Sequence, residues 1–85
     1  MPPYEIRITK QAKKEIEQLT PKLRQKLRTI LVEIIAPDPH SGKQLVGDLA
    51  GNYSYRLNYK DRIVYSIDEA NHIVYIKRVR THYGD

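Results

Sequence analysis

His82 stands two residues after Arg80 and directly before Tyr83. An imidazole among cations has its charged form disfavoured, so it sits neutral or poised near neutrality, a state suited to proton transfer. Further cations fall on segments with strand-like patterning: Arg56, Arg62, Lys77 and Arg78. Together with Arg80 they would suit a polyanionic partner. For Lys77 and Arg78 the plainer reading is a solvated edge that discourages strand–strand aggregation. For Arg56 and Arg62 the pattern leaves both readings open. His40, His72 and His82 are isolated, with no HxH or HExxH spacing, so no metal site and no cofactor are expected. The chain has no cysteine, which removes disulfides, thiolate-bound zinc and a thiol nucleophile. It also lacks GxGxxG, Walker A, GxSxG and paired-carboxylate patterns.

These side chains must be held by a small body. The 85 residues predict a single domain over 1–85, with a net charge of +5. Residues 1–42 hold eight basic and five acidic residues, and residues 43–85 hold seven and five, so the excess is spread along the chain. No run reaches the length of a membrane span and no secretion-like leader opens the chain, which predicts a cytoplasmic protein with no membrane partner. Among aromatics there are seven tyrosines and no Phe or Trp. Tyr53, Tyr55, Tyr59, Tyr65 and Tyr75 sit at strand-like spacing. Most are read as doing the packing that Phe would do, with one or two left to stack on bases.

Alternation of Tyr4, Ile6 and Ile8 predicts a first strand. Thr9 then caps a helix over Lys10–Leu19, with Ala12, Ile16 and Leu19 inward and Lys13, Lys14, Glu15 and Glu17 on the solvent side. Thr20-Pro21 ends that helix and starts another, whose Leu23, Leu27, Ile30, Leu31 and Ile34 keep helical spacing. Pro37 and Pro39 stop it near Ile35. Lys43–Gly51 is irregular and suits a short strand or turn. Tyr53–Tyr59, Arg62–Ile67 and Ile73–Val79 predict three further strands, with Asn71 suited to a left-handed turn position. The order β-α-α-β-β-β gives an α+β domain, a helical hairpin on one face of a small antiparallel sheet, whose other face is free. The basic helix positions Lys10, Lys13, Lys14, Lys22, Arg24, Lys26 and Arg28 read as a solvated face that could add nonspecific phosphate attraction.

Gly42–Leu57, where Leu45, Gly47-Asp48-Leu49 and Gly51 precede a strand bearing Tyr53, Tyr55 and Arg56, resembles the corresponding segment of the RelE/ParE toxin superfamily. Arg62-Ile63-Val64-Tyr65 resembles its next strand and Ile73–Ile76 its closing strand. Arg80-Thr81-His82-Tyr83 resembles the His-Tyr tail of the YoeB/Txe branch. The N-terminal strand and two helices agree in order, so the resemblance covers nearly the whole chain.

The resemblance implies a toxin of a type II toxin–antitoxin system. In the RelE and YoeB branches it implies a ribosome-dependent, metal-independent endoribonuclease that cuts mRNA in the A site and leaves a 2′,3′-cyclic phosphate. Arg62, His82, Tyr83 and Arg56 would be the catalytic set, and Lys43, Arg80, Lys77 and Arg78 would bind RNA phosphates. The partners implied are a cognate antitoxin protein, the ribosome and mRNA, with no small-molecule cofactor. The YoeB branch has a carboxylate base before the second strand; Lys43 stands at that position here, and Asp48 is out of register. Two other functions fit the same superfamily: a ParE-like DNA gyrase poison, whose branch generally lacks the arginine–histidine–tyrosine set, and a catalytically silent basic module that binds RNA or antitoxin.

Overall fold

The computed structural model describes residues 2–79. The first strand, β1, covers Glu5–Ile8, and helix α1 covers Lys10–Glu17. Thr9 stays extended and its hydroxyl oxygen accepts from the Ala12 N–H at 3.2 Å, which satisfies one of the donors that a helix start leaves unpaired. The same hydroxyl donates to the Ile76 carbonyl at 3.0 Å, so the cap also fixes the helix against the sheet. Thr20 repeats the device at the start of α2, Pro21–Ile30, accepting from Leu23 N–H at 3.2 Å with Pro21 in the first turn.

Helix α2 runs on into a π-helical turn, Leu31–Ile35, in which the Ala36 N–H reaches back to the Leu31 carbonyl at 2.8 Å. The helical stretch thus ends at the predicted place, before Pro37. The Ala36 carbonyl accepts from the Tyr4 N–H at 2.8 Å, tying this end to the chain just before β1.

The remaining strands are β2, Lys43–Gln44; β3, Asn52–Arg56; β4, Arg62–Asp68; and β5, Ile73–Arg78. Their order across the sheet is β1-β5-β4-β3-β2. Strands β2 to β5 form an antiparallel meander, but β1 pairs parallel to β5, with Ile6 opposite Val74. The sheet is therefore mixed rather than wholly antiparallel. The helices carry the chain from β1 to the far edge, and the reversals after β2 bring β5 back beside β1 running the same way. Alternation within a strand carries no information about the direction of its neighbour.

Two turn details also differ from expectation. The left-handed residue of the β4–β5 turn is His72, at φ 61°, not Asn71. Asn71 instead donates its backbone and side-chain N–H to the Asp68 carboxylate at 3.1 and 2.9 Å, which holds that carboxyl below its ordinary range. In β5 the register shifts, so that Tyr65 faces Ile76 while Val64 faces Arg78, and Lys77 is the extra residue of a bulge.

Both helices cover one face of the sheet. Ala12, Leu19, Leu27, Ile30, Leu31 and Ile35 meet Leu57, Ile63, Tyr65, Val74, Ile76 and Val79 in one buried cluster. Tyr65 packs as Phe would, fully buried and stacked on Tyr53 at 5.7 Å. Its hydroxyl donates to the Pro39 carbonyl at 2.7 Å and accepts from the Gly42 N–H, which pins the proline loop to the sheet. A Cβ at Gly42 would collide with that hydroxyl and stand 2.9 Å from the Ser54 carbonyl, so glycine is required by close approach.

Candidate functional site

The face of the sheet turned away from the helices is built by residues that alternate with the core set. Cross-strand partners share a face, as do residues two apart on one strand. Arg56 pairs with Arg62 on the last rung of the β3–β4 hairpin. Ser54 and Val64 form the next rung on the same face, with Lys43 of β2 opposite Ser54 and Arg78 of β5 opposite Val64. Buried Ser54 and half-buried Val64 thus floor a row with a cation at each end.

The turn holds the arginine rung firmly. Leu57 and Asn58 N–H both donate to the Asp61 carbonyl, at 2.9 and 3.2 Å. The Asn58 side-chain oxygen accepts from Lys60 and Asp61 N–H at 2.8 and 2.7 Å. Leu57 is fully buried and Asp61 nearly so, which anchors the base of the turn in the core.

Like charges directly opposite on a rung repel, by an amount of the order found for other cross-strand pairs, roughly 0.2–1 kcal/mol. Among the described residues nothing offsets that repulsion: Arg56, Arg62, Lys43 and Lys77 are exposed and make no side-chain hydrogen bond or ion pair. Two guanidinium-bearing residues on one rung, with Lys43 on the same face one strand further, are the donor types that suit a phosphate oxyanion such as a phosphodiester.

Arg78 differs from the other cations. Its Nε and Nη2 both lie 2.8 Å from Glu15 Oε2, while Glu15 Oε1 accepts from Val79 N–H at 2.9 Å. Glu15 is buried, not on the solvent side as the helical pattern predicts. The carboxylate is drawn inward by an arginine and a backbone donor from a strand distant in sequence, which no local pattern can announce. Arg78 therefore locks α1 to the end of β5. Lys77 stays exposed at the bulge. Arg80, His82 and Tyr83 lie outside the described residues.

A second polar cluster, which brings together His40 and His72, isolated in the sequence, lies near the β4–β5 turn. The ring of His40 bridges the Tyr53 hydroxyl at Nδ1 and Glu69 Oε1 at Nε2, each at 3.3 Å. Tyr4 donates to the same Glu69 oxygen at 2.8 Å, which pushes the Tyr4 phenol pKa up. The Tyr4 ring stacks on His72 at 3.7 Å. This network ties the segment before β1, the proline loop and the β4–β5 turn together, and it borders a shallow depression of about 320 Å³ lined in part by Gln44 and Asn52. Asp48 lies in the exposed turn that precedes β3, at the opposite end of that strand from Arg56.

Among the described residues no three His, Asp or Glu side chains converge as metal ligands. No described helix is long and apolar enough to cross a membrane.

Comparison with known proteins agrees with this arrangement. A family model described as the ParE-like toxin of type II bacterial toxin–antitoxin systems matches residues 6–84. The toxin–antitoxin complex RelBE2 from Mycobacterium tuberculosis contains a chain 31% identical, with a TM-score of 0.86 over 100% of this chain and 97% of that one. The YoeB dimer of Staphylococcus aureus is 25% identical, with a TM-score of 0.77 over 94% of this chain and 98% of that one. The intact RelBE complex of Escherichia coli shares the fold, at 23% identity and a TM-score of 0.76 over 95% of this chain and 99% of that one. No curated protein sequence matches. The fold, the match over nearly the whole chain and the likeness to the RelBE2 complex place the protein in one family: it is a toxin of the RelE/YoeB/ParE type from a type II toxin–antitoxin system.

Proposed function

We propose that this toxin is a ribosome-dependent, metal-independent endoribonuclease that cuts mRNA in the A site and so stops translation. The observation that supports it most is the rung formed by Arg56 and Arg62, two cations facing each other on the side of the sheet turned away from the helices, with no ion pair among the described residues. In this reading residues 1–85 act as one domain in the bacterial cytoplasm, where ribosomes are.

The scissile phosphate sits on the arginine pair. The 2′-oxygen attacks the adjacent phosphorus, its proton passes to a base, the bond from phosphorus to the 5′-oxygen breaks, and that oxygen takes a proton. The products are a 2′,3′-cyclic phosphate and a 5′-hydroxyl. Arg62 and Arg56 hold the non-bridging oxygens as charge grows on them, a role in which one preorganised donor is worth on the order of a hundredfold or more in rate. His82 moves the proton and Tyr83 orients the phosphate or stacks on a base, while Lys43, Lys77 and Arg80 draw in the flanking phosphates. Arg78 acts through its ion pair with Glu15, keeping the end of β5 in place. With Lys43 where the YoeB branch has its carboxylate, much of the rate comes from positioning by the ribosome.

A cognate antitoxin completes the reading, since the solved relatives include toxin–antitoxin complexes. An acidic segment covering Arg56, Arg62 and His82, or displacing the residues that follow Val79, would neutralise the toxin.

The test is expression of the chain in cells with mapping of new mRNA 5′ ends. Codon-phased cuts that vanish in Arg62→Ala are expected. Growth arrest with DNA breaks and intact mRNA would point instead to gyrase, and no toxicity would point to a silent binding module.

A further inference from the structure

Tyr59 stands at the tip of the β3–β4 hairpin, three residues from Arg56 and three from Arg62. Its side chain is 83% exposed, and it is the one described tyrosine in the exposed class. The others have partners: Tyr65 is buried, Tyr53 stacks on it, Tyr4 stacks on His72, Tyr55 packs against the core and Tyr75 lies opposite Arg7. The turn does not need the Tyr59 side chain, because Asn58 and Asp61 make its hydrogen bonds. A large aromatic ring is thus carried on a fixed turn, in water, beside a pair of unpaired arginines. The Lys60 ammonium lies 5.6 Å from the ring centroid, on one side of the ring, where it adds a cation–π contact and a positive charge.

Three residues of chain span at most about 10 Å. The ring is therefore within reach of a base whose phosphate rests on the arginine rung. Aromatic rings accept any base by its π-face, and such a contact is worth roughly 1–3 kcal/mol. We infer that Tyr59, backed by Lys60, is a nucleobase-stacking platform, a base subsite next to the phosphate site. The location of that phosphate rests on the ribonuclease reading above. The ligand is single-stranded RNA, with little preference between bases.

The chain contains no tryptophan, so Tyr59→Trp installs a single indole fluorophore at the tip. The probe is a short oligoribonucleotide carrying 2′-O-methyl groups throughout, which cannot cleave itself, added at low salt. The indole is expected to be quenched on RNA addition, and Arg62→Ala in the same background is expected to abolish the quench. In the otherwise native chain, Tyr59→Leu is expected to weaken binding about 5- to 150-fold while Tyr59→Phe retains it. Because the ring is exposed, all three variants should melt with the parent.

RNA binding that depends on Arg62, with no quench and with Tyr59→Leu equal to Tyr59→Phe, would overturn the inference and leave the phosphate site standing. Absence of any Arg62-dependent binding would overturn both. Failure of the ribonuclease reading alone would look different: the quench would persist while mRNA on programmed ribosomes stayed intact.

Discussion

Arg56 and Arg62 face each other across the last rung of the β3–β4 hairpin, on the side of the sheet turned away from the helices. Their repulsion is a small cost to the fold, one that a phosphodiester bound between them would remove. Arg56→Glu should therefore replace a repulsive pair with an attractive one and stabilise the protein by about 0.2–1 kcal/mol. The same change should abolish RNA cleavage. Thermal melting and a cleavage assay on one preparation check both halves; a melting point that falls would show that the pair is not in conflict.

Glu15→Ala should destabilise by on the order of 1–3 kcal/mol, because it removes the carboxylate that joins Arg78 to α1 and takes away the acceptor of the Val79 N–H. Urea denaturation gives the total. Hydrogen exchange at the Val79 amide should speed up by more than at Tyr65, whose strand pairing is untouched, and equal changes at the two would contradict a local lock.

Gly42→Ala should cost on the order of 2 kcal/mol or more, since the new methyl group meets the Tyr65 hydroxyl and the Ser54 carbonyl. A variant as stable as the parent would mean that the proline loop is not pinned there.

Burial pushes the Tyr65 phenol up to about 12 from an ordinary 10.0. The folded state holds this proton more tightly than the unfolded chain does. The resulting stability is full below pH 10 and is lost as the pH rises through about 12, by about 2–3 kcal/mol in all. Tyr65→Phe should be less stable than the parent at pH 8 by about 1–2 kcal/mol, since Pro39 and Gly42 lose a partner. The gap between the two proteins should narrow between pH 10 and 12, and a constant gap across that range would rule out the linkage.

The helices and the later strands were legible because each rests on local signals. Thr9 and Thr20-Pro21 are caps, Pro37 is a stop, and Tyr53–Leu57 alternates. The same alternation separates Arg56 from Tyr53 and Tyr55, and it lies on the opposite face. What escaped was long-range. The parallel pairing of β1 with β5 and the inward turn of Glu15 depend on partners some 60 or more residues away, and the bulge at Lys77 depends on the register with β4, which β5 does not specify alone. The pairing of Arg56 with Arg62 follows from the hairpin register, which the turn at Asn58 and Asp61 fixes and which neither strand specifies alone.

The ribonuclease assignment meets its most direct test on purified ribosomes programmed with a defined mRNA and an empty A site. Added toxin is expected to give a single cut within the A-site codon, with a 2′,3′-cyclic phosphate on one fragment and a 5′-hydroxyl on the other. Arg62→Ala should slow it by on the order of a hundredfold or more with no loss of thermal stability. Intact mRNA with folded wild-type toxin, or equal cutting by Arg62→Ala, would contradict the assignment.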